Sequence, residues 1–151
     1  MSGVAQLDTI KDRRQSLENA QHALTEALSQ VRANESAGLQ LVQQAAEHAN
    51  AVLEDHIEQT EAPGSIFENV IQDAPHLENK VRGLRHAHLG LKAKLDMVRK
   101  ISASAIESTV EAAIGELEMA AFEFLDALTI HRHQGAELLY QAYQVDLGGH
   151  N

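Results

Sequence analysis

Nine histidines among 151 residues are the side chains of this sequence best suited to chemistry. Three of them, His56, His88 and His131, fall in register with apolar residues that recur at helical spacing. An imidazole on a buried helix face needs a hydrogen-bond partner or a metal ion. These positions therefore predict either core histidines with satisfied hydrogen bonds or ligands of iron, zinc, copper or nickel.

A fourth histidine, His22, lies beside the apolar stripe of the first predicted helix. If its ring leans inward, each of four helices supplies one imidazole. Helical bundles build metal sites from side chains that project inward from facing helices. The predicted ligand set is therefore His22, His56, His88 and His131.

The rest of the composition excludes several kinds of function. There is no cysteine, which excludes disulfides, thiolate nucleophiles and cysteine-ligated clusters. The net charge of −10 repels phosphate backbones, so no nucleic-acid partner is expected. An enzymatic function is the least supported, because no residue pair has the spacing of a nucleophile with its base and no phosphate-binding loop occurs. Without an apolar run of about 18 residues, we expect a soluble, cytoplasmic protein with no membrane span.

Apolar residues recur at helical spacing along almost the whole chain, and no strand-like alternation occurs. We predict an all-α single domain over residues 1–151, an antiparallel four-helix bundle with a long C-terminal helix. The predicted helical segments run from about Val4 to Ala33, Leu39 to Thr60, Ile66 to Ile71, Pro75 to Ile101 and Ile106 to Val145. After Ser104 the apolar positions shift by one residue, and this shift is the only sequence sign of a connection between the last two helices. A single bent helix from Pro75 to Leu147 is therefore the alternative.

Four segments of the chain resemble the hemerythrin-like family of four-helix bundles. The segment from His56 to Phe67, HIEQTEAPGSIF, is similar to the family's second helix, and that from His131 to Tyr140, HRHQGAELLY, to its fourth. Leu84 to Leu91, LRHAHLGL, is similar to the third helix, and Ala20 to Leu24, AQHAL, to the first. The resemblance implies a non-haem di-iron centre that binds or senses dioxygen, or handles iron or nitric oxide, with the four histidines named above as ligands.

The chain departs from the family at the bridging carboxylates. Where the family has a glutamate four residues after the histidine, this sequence has Thr60 and Gly135. Glu61 and Glu137 follow five and six residues after those histidines, which turns them away from the ligand face. Two iron ions without bridging carboxylates would leave a large uncompensated charge. Three alternatives remain: one metal ion among the imidazoles, with Glu26 available as a carboxylate, a metal-free bundle, or a pH-responsive set of histidines.

Basic residues recur within this acidic chain and allow two interpretations. Ion pairs with acidic helices explain them without a ligand, and a site for an anion is the alternative. They are Arg13, Arg14, Lys80, Arg82, Arg85, Lys92 and Lys94.

The last turns of the chain carry an apolar strip with both tyrosines, formed by Leu138, Tyr140, Tyr143 and Val145. An overhanging helix end of this kind predicts self-association or docking on a larger protein, and packing over the end of the bundle is the alternative. The sequence thus supports two functions. One is a metal-binding, hemerythrin-like bundle, with iron as the expected ion, that senses or carries a small ligand such as dioxygen. The other is a metal-free helical adaptor.

Overall fold

The computed structural model describes residues 7–108 and 111–145, which are mostly helical with no strand among them. The all-α prediction is confirmed. Within the described residues, no helix combines the length and the apolar character needed to cross a membrane. The elements are α1 (Leu7–Val31), α2 (Glu35–Glu61), α3 (Ile66–Asp73), a 3₁₀ turn (Pro75–Leu77), α4 (Glu78–Ser108) and α5 (Glu111–Tyr143).

The connection between α1 and α2 is shorter than predicted and spans only residues 32–34. Asn34 caps α2 by accepting a hydrogen bond from the backbone N–H of Ala37. Gly38 belongs to the helix, where a Cβ atom would lie 2.5 Å from the Cα of Val31. The glycine thus allows the two helices to approach closely, and it lies inside α2, which was predicted to begin only at Leu39.

The boundary between the last two helices also differs from the prediction. Ser102 is buried within α4, and its hydroxyl donates a hydrogen bond to the carbonyl of Arg99 at 3.0 Å. This bond satisfies the serine inside the helix, so α4 continues to Ser108. Helix α5 begins at Glu111 and packs against α4, which replaces the bent-helix alternative with two helices.

The core consists of two clusters of buried apolar side chains. The larger one is shared by α1, α2, α4 and α5, and the smaller one lies around α3, the 3₁₀ turn and the end of α5. Along α4, His88 follows Leu84 of the smaller cluster and precedes Leu91 of the larger one. His131 lies between the two clusters in the same way on α5. The buried histidines therefore occupy the layer where the clusters meet.

The apolar side chains at the end of α5 are more buried than predicted. Leu138 is 2% exposed within the smaller cluster, and Tyr143 and Val145 pack against that cluster half-buried. The Tyr143 hydroxyl donates a hydrogen bond to Asp73 at 2.7 Å. Because α3 packs over this end of α5, Leu138 is not available for docking, contrary to the sequence prediction. Of the four residues named for docking, only Tyr140 is largely exposed.

Candidate metal site

Three histidines from three different helices meet in the interior. His56 lies on α2, His88 on α4 and His131 on α5. The Nε2 atom of His131 lies 3.1 Å from Nε2 of His88 and 3.3 Å from Nε2 of His56. All three potential ligand atoms lie within 4.8 Å of one another. His88 and His131 are 1% and 4% exposed, so their ring nitrogens have little access to water.

The nitrogen separations of 3.1 and 3.3 Å suit both a hydrogen bond between imidazoles and two ligands of one metal ion. Imidazole nitrogens about 2.0–2.1 Å from a tetrahedral ion lie about 3.3 Å apart, and around an octahedral ion they lie about 2.9 Å apart. Without an ion, neighbouring Nε2 atoms can be satisfied only if one of them carries a proton between them. Three ring nitrogens this close together could hold a cation.

A carboxylate from α2 sets the orientation of the central α4 imidazole. Nδ1 of His88 donates a hydrogen bond to Oε2 of Glu61, which leaves the lone pair of His88 Nε2 directed toward His131. Histidine ligands in metalloproteins typically carry this kind of outer hydrogen bond. Helical spacing does not predict this contact, because it relates Glu61 only to His56 on the same helix. Glu61 in fact reaches across to α4.

The short helix α3 holds the same imidazole from another side. The ring of Phe67 stacks on that of His88, with centroids 5.8 Å apart and planes inclined by 12°. The guanidinium of Arg85 lies 5.9 Å from the centre of the Phe67 ring. These contacts fix the His88 ring plane, which a ligand needs before the metal arrives. In the sequence, Phe67 is only the last residue of the segment that resembles the family's second helix.

The fourth predicted ligand is not part of this site. The His22 side chain is 76% exposed and lies 3.9 Å from Glu26. Arg13 pairs with Asp55, the neighbour of His56, so the level of the site along α1 is near Arg13. His22 is nine residues farther along the helix, about 14 Å away at 1.5 Å per residue. It also lies two residues from buried Ala20, on the opposite face of α1.

The carboxylates around the site do not fit a di-iron centre. The Thr60 hydroxyl donates a hydrogen bond to a backbone carbonyl of its own helix at 2.9 Å, and Gly135 has no side chain. Glu26 and Glu137 are exposed. Glu61 contacts the outer nitrogen of an imidazole. No carboxylate of the described residues is grouped with the three imidazoles as a potential ligand, so bridging carboxylates for two metal ions are lacking there.

Burial favours the neutral form of all three imidazoles. Burial, together with the neighbouring imidazoles, lowers the pKa of His56 and of His131 to about 3. Burial also lowers the pKa of His88, although the hydrogen bond and charge of Glu61 oppose this shift. A metal ligand must be deprotonated, so these shifts keep the lone pairs available near pH 7.

A cavity of about 70 Å³ adjoins the rings of His56 and His131. Most of its lining is apolar and comes from α1, α3, α4 and α5. The polar exceptions include the side chains of Arg13, Arg14 and Arg132. A small molecule in this cavity would lie next to two of the three imidazoles.

The resemblance to hemerythrin-like proteins rests on four short segments of the chain. No family model, curated protein or solved structure matches this chain.

Proposed function

We propose that this protein is an antiparallel four-helix bundle that binds one transition-metal ion through Nε2 of His56, His88 and His131, and through it binds or senses a small ligand. The observation that carries the proposal is the convergence of three imidazole nitrogens from three helices, two pairs of them at 3.1 and 3.3 Å. The outer hydrogen bond from His88 to Glu61 supports it, because histidine ligands in metalloproteins typically donate their other ring N–H to a carboxylate.

Contacts between α1 and α5 support the antiparallel arrangement. Arg32, just beyond the end of α1, pairs at 2.7 Å with Glu118 near the start of α5. Glu18, in the first half of α1, pairs with Arg132 in the second half of α5. Residue numbers therefore rise along one helix as they fall along the other. This is the relation expected of neighbouring helices in an up-and-down bundle.

The donor set indicates which ions are suitable. Three neutral imidazoles suit iron, zinc, copper and nickel, and they leave at least one coordination position for another ligand. The cavity beside His56 and His131 provides space for that ligand. Iron is the ion that the family resemblance implies, here as a single ion. A bound ion with an open position suits the binding or sensing of a small molecule without turnover.

The test is elemental analysis of untagged protein, loaded anaerobically with ferrous iron and, separately, with zinc or cobalt. We expect one ion per chain in the wild type and in His22→Gln, a matched histidine substitution on the exposed face of α1. We expect His131→Gln to lose the ion while keeping its helical circular dichroism. Absence of stoichiometric metal from the wild type under all loading conditions would overturn the proposal in favour of a metal-free helical adaptor.

A further inference from the structure

We infer that the cavity beside the three histidines binds a small oxyanion of the monocarboxylate type, such as formate, through the guanidinium groups of Arg13 and Arg132. The inference rests on the proposed function, because the anion would lie next to the metal ion. It names the class of small ligand that the site takes.

The charged side chains that line the cavity are basic, although the whole chain is acidic. The protein carries a net charge of −10, yet three arginines and no aspartate or glutamate of the described residues line the cavity. Arg14, one of the three, is only 8% exposed. At the height of the three histidines, α2, α4 and α5 each supply an imidazole, and α1 supplies arginines. Guanidinium groups that line a pocket without a carboxylate among the lining residues favour an anionic ligand.

Three buried N–H groups of residues lining this cavity lack an acceptor. Nε of Arg13, Nε of Arg132 and Nδ1 of His131 have no hydrogen-bond partner among the described residues. When Nε2 of His131 binds a metal, its Nδ1 carries the proton and becomes a donor like the other two. Buried donors of this kind are normally satisfied, so their grouping around one cavity indicates a missing acceptor.

Carboxylates outside the cavity hold both arginines in place. Arg13 pairs with Asp55. Arg132 donates to Gln21 at 2.8 Å and to Glu18. These bonds use the terminal guanidinium nitrogens and leave the two Nε–H groups unused. The arrangement is preorganised, because the guanidinium groups are already positioned before a ligand enters.

The charge balance of a filled metal site points to the same ligand class. The charge of a divalent ion bound by three neutral imidazoles would be offset in part by Glu61, on the outer nitrogen of His88. Buried charges are stable when they are paired, and one monovalent anion would complete the balance. A planar group with two oxygens also matches the fork of a guanidinium. A cavity of about 70 Å³ has room for only a few heavy atoms.

The experiment compares formate with formamide, a neutral molecule of nearly the same shape, on the cobalt(II)-loaded protein. Binding is followed by the visible absorption of cobalt and by calorimetry. We expect formate to bind saturably and formamide to bind at least about tenfold more weakly. We expect Arg13→Gln and Arg132→Gln to weaken formate binding about tenfold or more. Arg82→Gln, the same change on an exposed side chain of α4, should have no effect.

Cobalt content is measured for every variant, which separates this inference from the proposed function. Equal affinity for formate and formamide, no response of the stoichiometric cobalt protein to formate, or unchanged binding in both cavity variants would overturn the inference alone. Failure of the wild type to bind cobalt would overturn the metal site and the inference with it. If Arg132→Gln loses its helical circular dichroism, Arg132→Lys replaces it, because lysine keeps the charge without the Nε–H group and should still weaken formate binding.

Discussion

Glu61, the last residue of α2, accepts a hydrogen bond from Nδ1 of His88 on α4. The His88 side chain is 1% exposed and that of Glu61 is 29% exposed, so the carboxylate connects a buried ring to the edge of the site. This bond fixes the tautomer of His88, with the lone pair on Nε2. It also joins two of the three helices that supply imidazoles, so helix packing and the donor set depend on each other.

Removing the charge of Glu61 should weaken metal binding without abolishing it. We expect Glu61→Gln to lower metal affinity about 10- to 100-fold, because an amide oxygen still accepts the hydrogen bond but no longer raises the basicity of the imidazole. Competition with a coloured chelator measures this effect. Glu58→Gln, an exposed glutamate of the same helix, is the control and should bind like the wild type. Equal affinities for all three proteins would show that Glu61 has no part in the site.

Metal should stabilise the fold only when the three imidazoles are present. At free metal of about 100 times the Kd, the free energy of unfolding of the wild type should rise by about 2.7 kcal/mol, because metal binds the folded state selectively. His131→Leu should show no such gain, since His131 contacts both other imidazoles. Thermal unfolding with and without metal gives the comparison. His22→Leu serves as the control and should retain the full gain, and a similar gain in His131→Leu would argue against the site.

Acid should destabilise the metal-free protein through its buried imidazoles. The pKa of His56 and of His131 is lowered by burial from 6.5 to about 3. Between these values the unfolded chain binds protons that the folded chain does not, so the free energy of unfolding falls as pH falls. Each group adds a slope of about 1.4 kcal/mol per pH unit in that window and none above it.

Urea unfolding at several pH values between about 7 and about 5 measures this slope in the metal-free protein. His131→Leu should show a clearly shallower dependence, because one of the suppressed protonations is removed. A slope identical to that of the wild type would mean that His131 does not contribute to acid sensitivity.

The close approach of α1 and α2 should make Gly38 intolerant of any side chain. A Cβ atom there would lie 2.5 Å from Cα and 2.6 Å from the backbone nitrogen of Val31, and backbone atoms cannot rotate away. We expect Gly38→Ala to cost about 1–3 kcal/mol, because the helices must separate. Gly90→Ala, at a position on α4 with open space, should gain up to about 1 kcal/mol from helix propensity. Urea unfolding compares the two, and equal stabilities would contradict the packing described here.

Local patterns in the sequence were sufficient to predict the helices and the face on which each central histidine lies. The spacing of apolar residues placed His56, His88 and His131 on buried stripes because helical periodicity fixes which side chains share a face. The predicted ends of the helices were less accurate. Ser102 satisfies its hydroxyl within α4, and Gly38 serves helix packing. Both residue types have several roles that sequence alone does not distinguish.

What only the tertiary structure decided was the relative height and rotation of neighbouring helices. These depend on the length of each connection and on how the core packs, which no single helix encodes. The register of α1 against α2 brings Arg13 to the level of the histidines and leaves His22 exposed. In the same way, Glu61 meets His88 although the two are 27 residues apart in the chain. The sequence alone therefore determined which residues could act as ligands. Packing between helices determined which of them meet and which carboxylate and arginines surround them.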